Sequence, residues 1–413
     1  MKPFHQPPHQ MPHSADAPSK SMASQFAVRR GDECANCGLC KRVCIYGVHE
    51  RLEEDPRFMA PPKQEMCRGC LRCVMECPRN AITVVPNADS DVENIILFEA
   101  STGKVPVSGA GYGGRFGGYG FDGIWLDMSE IVRPTRDGIH GREYISTVVE
   151  IGRFPPYLKF GDGEVEKSME ELFTIEVPFP ILFREVSAMD SVVECILEAT
   201  SKLGTYMIVS EDTYDAYPSY RDNMLVEVDV ESGMMDEQRT ITRVEVRSGI
   251  EELVYKLFKN GCAIVHLTAR GDGRSYDGKF AGDIVESVHD YLMSKGVREV
   301  ASIVFSGGIL KAEHVPKSLI LGADAVAIDK PLLIALEYAD CLSSDLSIDW
   351  GVQRIINLMC SWRDQLLEVL GAMGMRDVRR IRGEKGRAMF MRDLENEFIQ
   401  NCGFEVHEND DGT

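Results

Sequence analysis

From about residue 180 onward, short runs of β-branched and aliphatic residues alternate with segments whose apolar positions recur at helical spacing. The runs are Ile181–Val186, Thr205–Val209, Leu225–Val230, Ile241–Val246, Ala263–Thr268, Val300–Phe305 and Ala325–Ile328. Their composition and their turn-forming flanks read as strands. Between several of them, Ser191–Leu203, Gly249–Lys259, Ile284–Lys295 and Ala312–Leu321 read as amphipathic helices. Repeated strand-helix alternation implies parallel crossovers and an α/β fold. Seven runs come close to the eight of a (β/α)8 TIM-type barrel, and Phe173–Val177 is the candidate for the eighth. A longer helix from Trp350 to about Gly371 carries Val352, Ile355, Ile356, Met359, Trp362, Leu366, Val369 and Leu370 on a packing face.

The N-terminal part follows another rule. Residues 1–24 are rich in proline and carry His5, His9 and His13 with few apolar residues, so a disordered tail is expected. Prolines between those histidines forbid the helix that would align them as ligands. Residues 25–90 form a small α+β module closed by the β-prone run Ala81–Val85, and residues 91–125 read as a glycine-rich linker. That linker holds nine glycines between Ser101 and Gly123, but no Gly-x-Gly-x-x-Gly stands between a strand and a helix, so a dinucleotide site is excluded. Residues 126–400 make the barrel domain with its C-terminal helix, and 401–413 an acidic tail. In Ser129–Glu143, Arg133, Arg136, His140 and Arg142 are candidates for anion contacts if the segment covers a cofactor, and solvated charge otherwise.

Composition narrows the function. A net charge of −20 over 413 residues argues against a nucleic-acid footprint. No stretch approaches the roughly 18 apolar residues of a membrane span, and the N-terminus lacks the apolar segment of a secretion signal. A cytoplasmic protein is expected.

Eight of the thirteen cysteines carry the sharpest chemistry. They form two runs, Cys34-x2-Cys37-x2-Cys40-x3-Cys44 and Cys67-x2-Cys70-x2-Cys73-x3-Cys77-Pro78, separated by 22 residues. Two residues between thiolates let a tight turn wrap three sulfurs around a cubane corner, and in two-cluster ferredoxin modules the last cysteine of each run crosses over. Cys34, Cys37, Cys40 and Cys77 are therefore assigned to one [4Fe-4S] cluster, and Cys67, Cys70, Cys73 and Cys44 to the other. Ile45 stands where the first run would have proline, which ligates nothing. Disulfides do not suit an intracellular chain, and four cysteines in eleven residues, twice over, exceed what a zinc tetrahedron needs. In the barrel, Ser306-Gly307-Gly308 follows the penultimate run, where such folds commonly bind phosphate through bare backbone N–H groups.

The chain resembles the flavin-binding barrel of glutamate synthase, in the archaeal-type arrangement with a two-cluster ferredoxin module in front. The likeness spans about residues 120–390. It is carried by Leu203-Gly204-Thr205-Tyr206-Met207, by Ser306-Gly307-Gly308-Ile309 with Leu321-Gly322-Ala323-Asp324-Ala325-Val326-Ala327-Ile328, and by Leu370-Gly371-Ala372-Met373-Gly374 with Arg382-Gly383. The resemblance implies FMN, with Ser306, Gly307 and Gly308 near its phosphate and Arg243 where the family has a lysine at the barrel mouth. A cation there would stabilise reduced flavin. It also implies reductive formation of glutamate from 2-oxoglutarate, an electron donor such as ferredoxin or a nicotinamide-flavin subunit, and a separate glutaminase subunit. Some stretches depart from the family. Val186–Ser191 and Val209–Thr213 replace glycine-rich segments, and Asp329-Lys330-Pro331 replaces a Gly-Thr pair. Asp329 would repel a phosphate and Pro331 has no N–H to give, whereas Lys330 restores charge, and Arg274 in Gly271-Asp272-Gly273-Arg274 offers another cation. Cys341 and Cys360 are read as structural. These departures leave two alternatives: a non-catalytic electron-transfer or scaffold subunit with a degenerate flavin site, or an FMN oxidoreductase for another substrate.

Overall fold

The computed structural model describes residues 11–18, 26–31, 33–52, 54–63, 66–67, 70–86, 91–105, 120–127, 145–154, 160–161, 164–165, 173–230, 239–338 and 346–402. Strand β1 (Phe26–Arg30) pairs antiparallel with β2 (Ile82–Pro86), and between them lie the short helices α1 (Leu39–Val43) and α2 (Arg72–Met75). Val28, Val48, Met59 and Ile82 close around Cys40, Cys67 and Cys73 in an apolar core separate from that of the barrel. A core this small is too little to hold a module of this size alone, and bound metal is the usual supplement.

Helix α3 (Asp91–Thr102) follows. It occupies the first third of the stretch expected to be a linker. Ile96 and Ala100 are fully buried and Glu99 nearly so, because α3 packs on the long C-terminal helix. The dense glycine run itself lies outside the described residues, as do Arg133, Arg136, His140, Arg142 and Cys341. Next come β3 (Ile124–Leu126), β4 (Val149–Gly152), β5 (Phe160–Gly161), β6 (Glu164–Val165) and β7 (Thr174–Val177).

The barrel proper starts at β8 (Ile181–Arg184) and runs through α4 (Asp190–Leu203), β9 (Met207–Val209), α5 (Glu211–Ala216), β10 (Met224–Asp229), β11 (Thr240–Glu245), α6 (Glu251–Lys259), β12 (Ile264–Thr268), α7 (Ala281–Ser294), β13 (Ser302–Ser306), α8 (His314–Ile320), β14 (Ala325–Ile328) and α9 (Lys330–Ala335). Strands β8 to β14 are all parallel and close on themselves, β14 pairing with β8. All seven coincide with the runs read from sequence. Among the described residues the barrel has seven strands, not eight. The candidate for the eighth, Phe173–Val177, yields β7, which pairs antiparallel with β4 outside the barrel. The reason is visible in its pattern: Ile175 and Val177 are buried while Thr174 and Glu176 are exposed, the signature of a strand covered on one face. Every residue of β12 and β13 is buried, as a strand between a packed lumen and covering helices must be. The β4–β7 hairpin is tied to the start of β13, where the Gly152 amide donates to Ser302 Oγ at 3.0 Å.

Helix α10 (Ile348–Ala372) then crosses the outside of the barrel against α4 and α3, and β15 (Ala388–Phe390) pairs with β3 before α11 (Met391–Cys402). Residues 11–18, expected to be part of a disordered tail, lie along α10. Asn357 donates to Ala15 O and accepts from its amide, Arg354 donates to Ala17 O, and Ala17 is buried. Polar groups buried on α10 need partners, and this backbone supplies them. Helix α11 likewise begins well before the expected tail at 401. No helix among the described residues is long and apolar enough to cross a membrane.

Candidate functional site

In both cysteine runs the backbone turns into the left-handed region directly after the second cysteine, at Gly38 (φ 74°) and Leu71 (φ 59°). A short helix then carries the third cysteine, and the fourth leaves beyond its end. A branched residue such as Leu71 adopts that conformation only under strain, and the turn swings Cys73 back towards Cys67 and Cys70. The Asn36 amide donates to Cys34 Sγ and the Ala81 amide to Cys77 Sγ, each at 3.4 Å.

Cys44, the last cysteine of the first run, stands with the second run's Cys67, Cys70 and Cys73. Burial first, and then the neighbouring thiols of Cys67, Cys44 and Cys70, push Cys73 up to about 11. Cys44, Cys67, Cys70 and Cys73 line one pocket together with Val48 and His49. Burial likewise raises Cys40, whose neighbours are Cys34 and Cys37, while Arg30 opposes the rise. Among the described residues no three ligating side chains stand close enough to share a single metal ion. The thiols ring a volume instead, as ligands that each bind a different iron must. This donor set fits a cubane, and bound iron removes the ionisation penalty because thiolate is the ligating form.

The second candidate centre lies inside the barrel. Alternate strands contribute a layer of side chains to such a lumen, and here β8, β10 and β12 supply Arg184, Glu227 and His266. His266 is fully buried. Its Nδ1 is 2.6 Å from Glu227 Oε1 and its Nε2 2.8 Å from Ser306 Oγ. Burial lowers the His266 pKa against the pull of Glu227. Burial opposes ionisation of Glu227, but the His266 hydrogen bond and the charges of Arg184 and Arg243 help to outweigh it, and its pKa is lowered. A neutral imidazole beside a carboxylate has one arrangement: Nδ1–H donates to Glu227, and Nε2 accepts from the Ser306 hydroxyl. The result is a carboxylate–imidazole–hydroxyl chain able to hold or move a proton.

The five barrel residues expected from sequence divide. Ser306 ends β13 with its side chain turned into the lumen on His266, rather than towards a phosphate. Gly307 (φ 110°) and Gly308 (φ 72°) make the expected turn, but a Cβ on Gly307 would lie 2.6 Å from Ala269 O and one on Gly308 2.4 Å from Gly273 Cα. The turn is thus pressed against the loop after β12. Arg243 stands near Glu227 and Asp229 with its Nη2 3.7 Å from Glu245, and its Nε is buried with no hydrogen-bond partner among the described residues. Lys330 donates to Gly271 O at 3.2 Å and so clasps that same loop. Asp329 accepts from the Lys330 amide at the start of α9 and lies 3.7 Å from Arg184. Glu227, His266 and Arg184 were missed. The available signal was a lone histidine in the otherwise apolar Ile264-Val265-His266-Leu267, with Glu227 set between apolar residues two strands earlier. Cys360 is in the structural role expected of it, its thiol donating to Pro12 O at 3.4 Å.

The family described as 4Fe-4S binding domain matches residues 61–83, over the second cysteine run. The conserved region in glutamate synthase matches residues 283–347, from α7 past α9. An archaeal glutamate synthase [NADPH] from Archaeoglobus fulgidus is 24% identical over 92% of this chain and 97% of its own length. An archaeal-type glutamate synthase [NADPH] from Dehalococcoides mccartyi is 24% identical over 88% and 95%. A pyruvate synthase subunit from Methanocaldococcus jannaschii is 37% identical over 54 residues, 13% of this chain and 59% of that one. With a ferredoxin-type iron-sulfur module joined to a parallel barrel, the chain is similar nearly end to end, at about a quarter identity, to the archaeal-type glutamate synthases.

Proposed function

We propose that this protein is an iron-sulfur flavoprotein oxidoreductase in which electrons pass from two [4Fe-4S] clusters to FMN at the barrel mouth, for reductive formation of glutamate from 2-oxoglutarate. The observation that carries the reading is the ring of Cys44, Cys67, Cys70 and Cys73, built on a module fused to a barrel in which Arg184 and Arg243 stand near Glu227. FMN would supply a two-electron carrier that accepts single electrons from the clusters. Arg243, with its buried and unpaired Nε, suits the flavin, and the backbone of Gly307 and Gly308 with Lys330 would border its phosphate. This chain's own contribution is positional and protonic. Arg184 and Arg243 favour an anionic ligand, and Glu227 fixes the His266 tautomer so that Ser306 keeps its hydroxyl proton directed at Nε2. Reduced ferredoxin or a nicotinamide-flavin subunit is the proposed donor, a separate glutaminase subunit the proposed ammonia source, and the cytoplasm the compartment.

Asp329 favours a second reading, because it caps α9 with a carboxylate where a phosphate would otherwise meet N–H groups. On that reading the barrel is a docking scaffold, or an FMN enzyme for another substrate. Anaerobically purified protein decides. About eight iron and eight sulfide per chain with near-stoichiometric FMN, re-oxidised by 2-oxoglutarate plus ammonia, supports the first reading. Full clusters without FMN support the scaffold, and a flavin unresponsive to 2-oxoglutarate points to a different substrate.

A further inference from the structure

His49 is almost fully buried, and its two ring nitrogens have different surroundings. Nδ1 is 3.2 Å from Arg30 Nη2, and the same guanidinium is held in place by Nη1 donating to Ala60 O at 2.7 Å. A guanidinium can only donate, so Nδ1 is the acceptor and the ring proton sits on Nε2. That Nε2–H is buried and has no partner among the described residues. A buried donor without an acceptor is rare in folded proteins. His49 lines the pocket formed by Cys44, Cys67, Cys70 and Cys73, and negatively charged sulfur is the acceptor such a pocket would hold once a cluster is bound.

We propose that His49 donates a hydrogen bond from Nε2 to the cluster held by Cys44, Cys67, Cys70 and Cys73, with Arg30 fixing the tautomer that makes this possible. The proposal rests on the iron-sulfur reading of the cysteines. Hydrogen bonds to sulfur stabilise the more negative, reduced cluster and raise its potential. Arg30 also faces Cys40 of the other set, so its charge acts on both clusters, whereas the His49 bond acts on one. The pair is thereby made unequal, and a single electron entering it comes to rest on the cluster beside His49. His49 is a tuning residue, not a ligand: the transfer makes and breaks no bond and moves no proton.

Anaerobic redox titration of the full-length holoprotein, followed by electron paramagnetic resonance, tests this. His49→Leu should lower the potential of one cluster while moving the other much less, and His49→Gln, which keeps an N–H donor, should recover part of the shift. In wild-type protein carrying 15N-histidine, the reduced cluster should show a nitrogen coupling in its spin-echo modulation, lost in His49→Gln. Unchanged potentials in His49→Leu, equal shifts of both clusters, or no histidine coupling in the wild type would each overturn the proposal. The coupling measurement stands even if His49→Leu fails to assemble. Iron and sulfide near eight per chain in the wild type separates failure of this inference from failure of the cluster reading.

Discussion

Gly308 and His266 show how single residues hold the barrel mouth together. A methyl group on Gly308 would lie 2.4 Å from Gly273 Cα, far inside van der Waals contact, at a backbone angle that side chains avoid. Gly308→Ala is therefore expected to destabilise the protein by about 2 kcal/mol or more, read as a fall in the denaturation midpoint. An unchanged midpoint would mean that the loop after β12 is not seated on this turn. For the buried chain, His266→Leu leaves the Glu227 carboxylate and the Ser306 hydroxyl without their partner, at a cost of about 2–4 kcal/mol. Adding Glu227→Leu should then cost much less than it does alone, with a coupling of about 0.5–3 kcal/mol in a double-mutant cycle. Strict additivity would show that the two do not form one unit. Of this group, Arg243 was named through the family resemblance, and Ser306 was named for a phosphate rather than for His266. Glu227 and Ser306 lie 39 and 40 residues from His266, and only the register of neighbouring barrel strands brings them to one point.

Among the elements, α3 and α10 were read with unequal success. The face of α10 was plain because its apolar spacing continues for six turns, but α3 was hidden next to a glycine-rich stretch. Their contact buries Glu99, which accepts from Ser361 Oγ at 3.0 Å, from Trp362 Nε1 at 2.9 Å and from Gln365 Nε2. Burial pushes its carboxyl up to about 7, the three donors opposing the rise. A group raised in the folded state contributes stability that is complete below its ordinary value and is lost as pH rises through the folded one. Wild-type stability is thus expected to fall between about pH 5 and pH 8 relative to Glu99→Gln, measured as midpoints in matched denaturation curves. Parallel pH profiles would show that Glu99 does not titrate in that window. At β14, Asp324 accepts from Arg298 at 2.7 Å, from Arg382 at 2.6 Å and from the Ile303 amide at 2.7 Å. Asp324 and Arg382 both belong to the patches that carry the family resemblance, and here they form a structural clamp. Asp324→Asn leaves the fully buried Arg298 short of a counter-charge and is expected to cost about 3–5 kcal/mol, with a matching loss of folded yield. A wild-type midpoint in that variant would remove the clamp from the account.

In the whole molecule, the decisive question is which cysteines share a cluster. If Cys44 belongs with Cys67, Cys70 and Cys73, Cys44→Ser will weaken that cluster while leaving the one assigned to Cys34, Cys37, Cys40 and Cys77. Iron should fall towards about four per chain, and the remaining paramagnetic signal should be that of the undisturbed cluster. Loss of the signal assigned to the first run would reverse the assignment. The sequence alone marked the two cysteine runs, the seven barrel strands and four of the helices between them. Ligand spacing and continuous burial are local demands, and they leave local marks. Tertiary structure decided that Cys44 stands beside the second run, that Phe173–Val177 stands outside the barrel, that residues 11–18 dock on α10, and that Glu227, His266 and Ser306 meet. Each of these depends on contacts between segments far apart in the chain, and a partner's identity is not written in the residue that needs it.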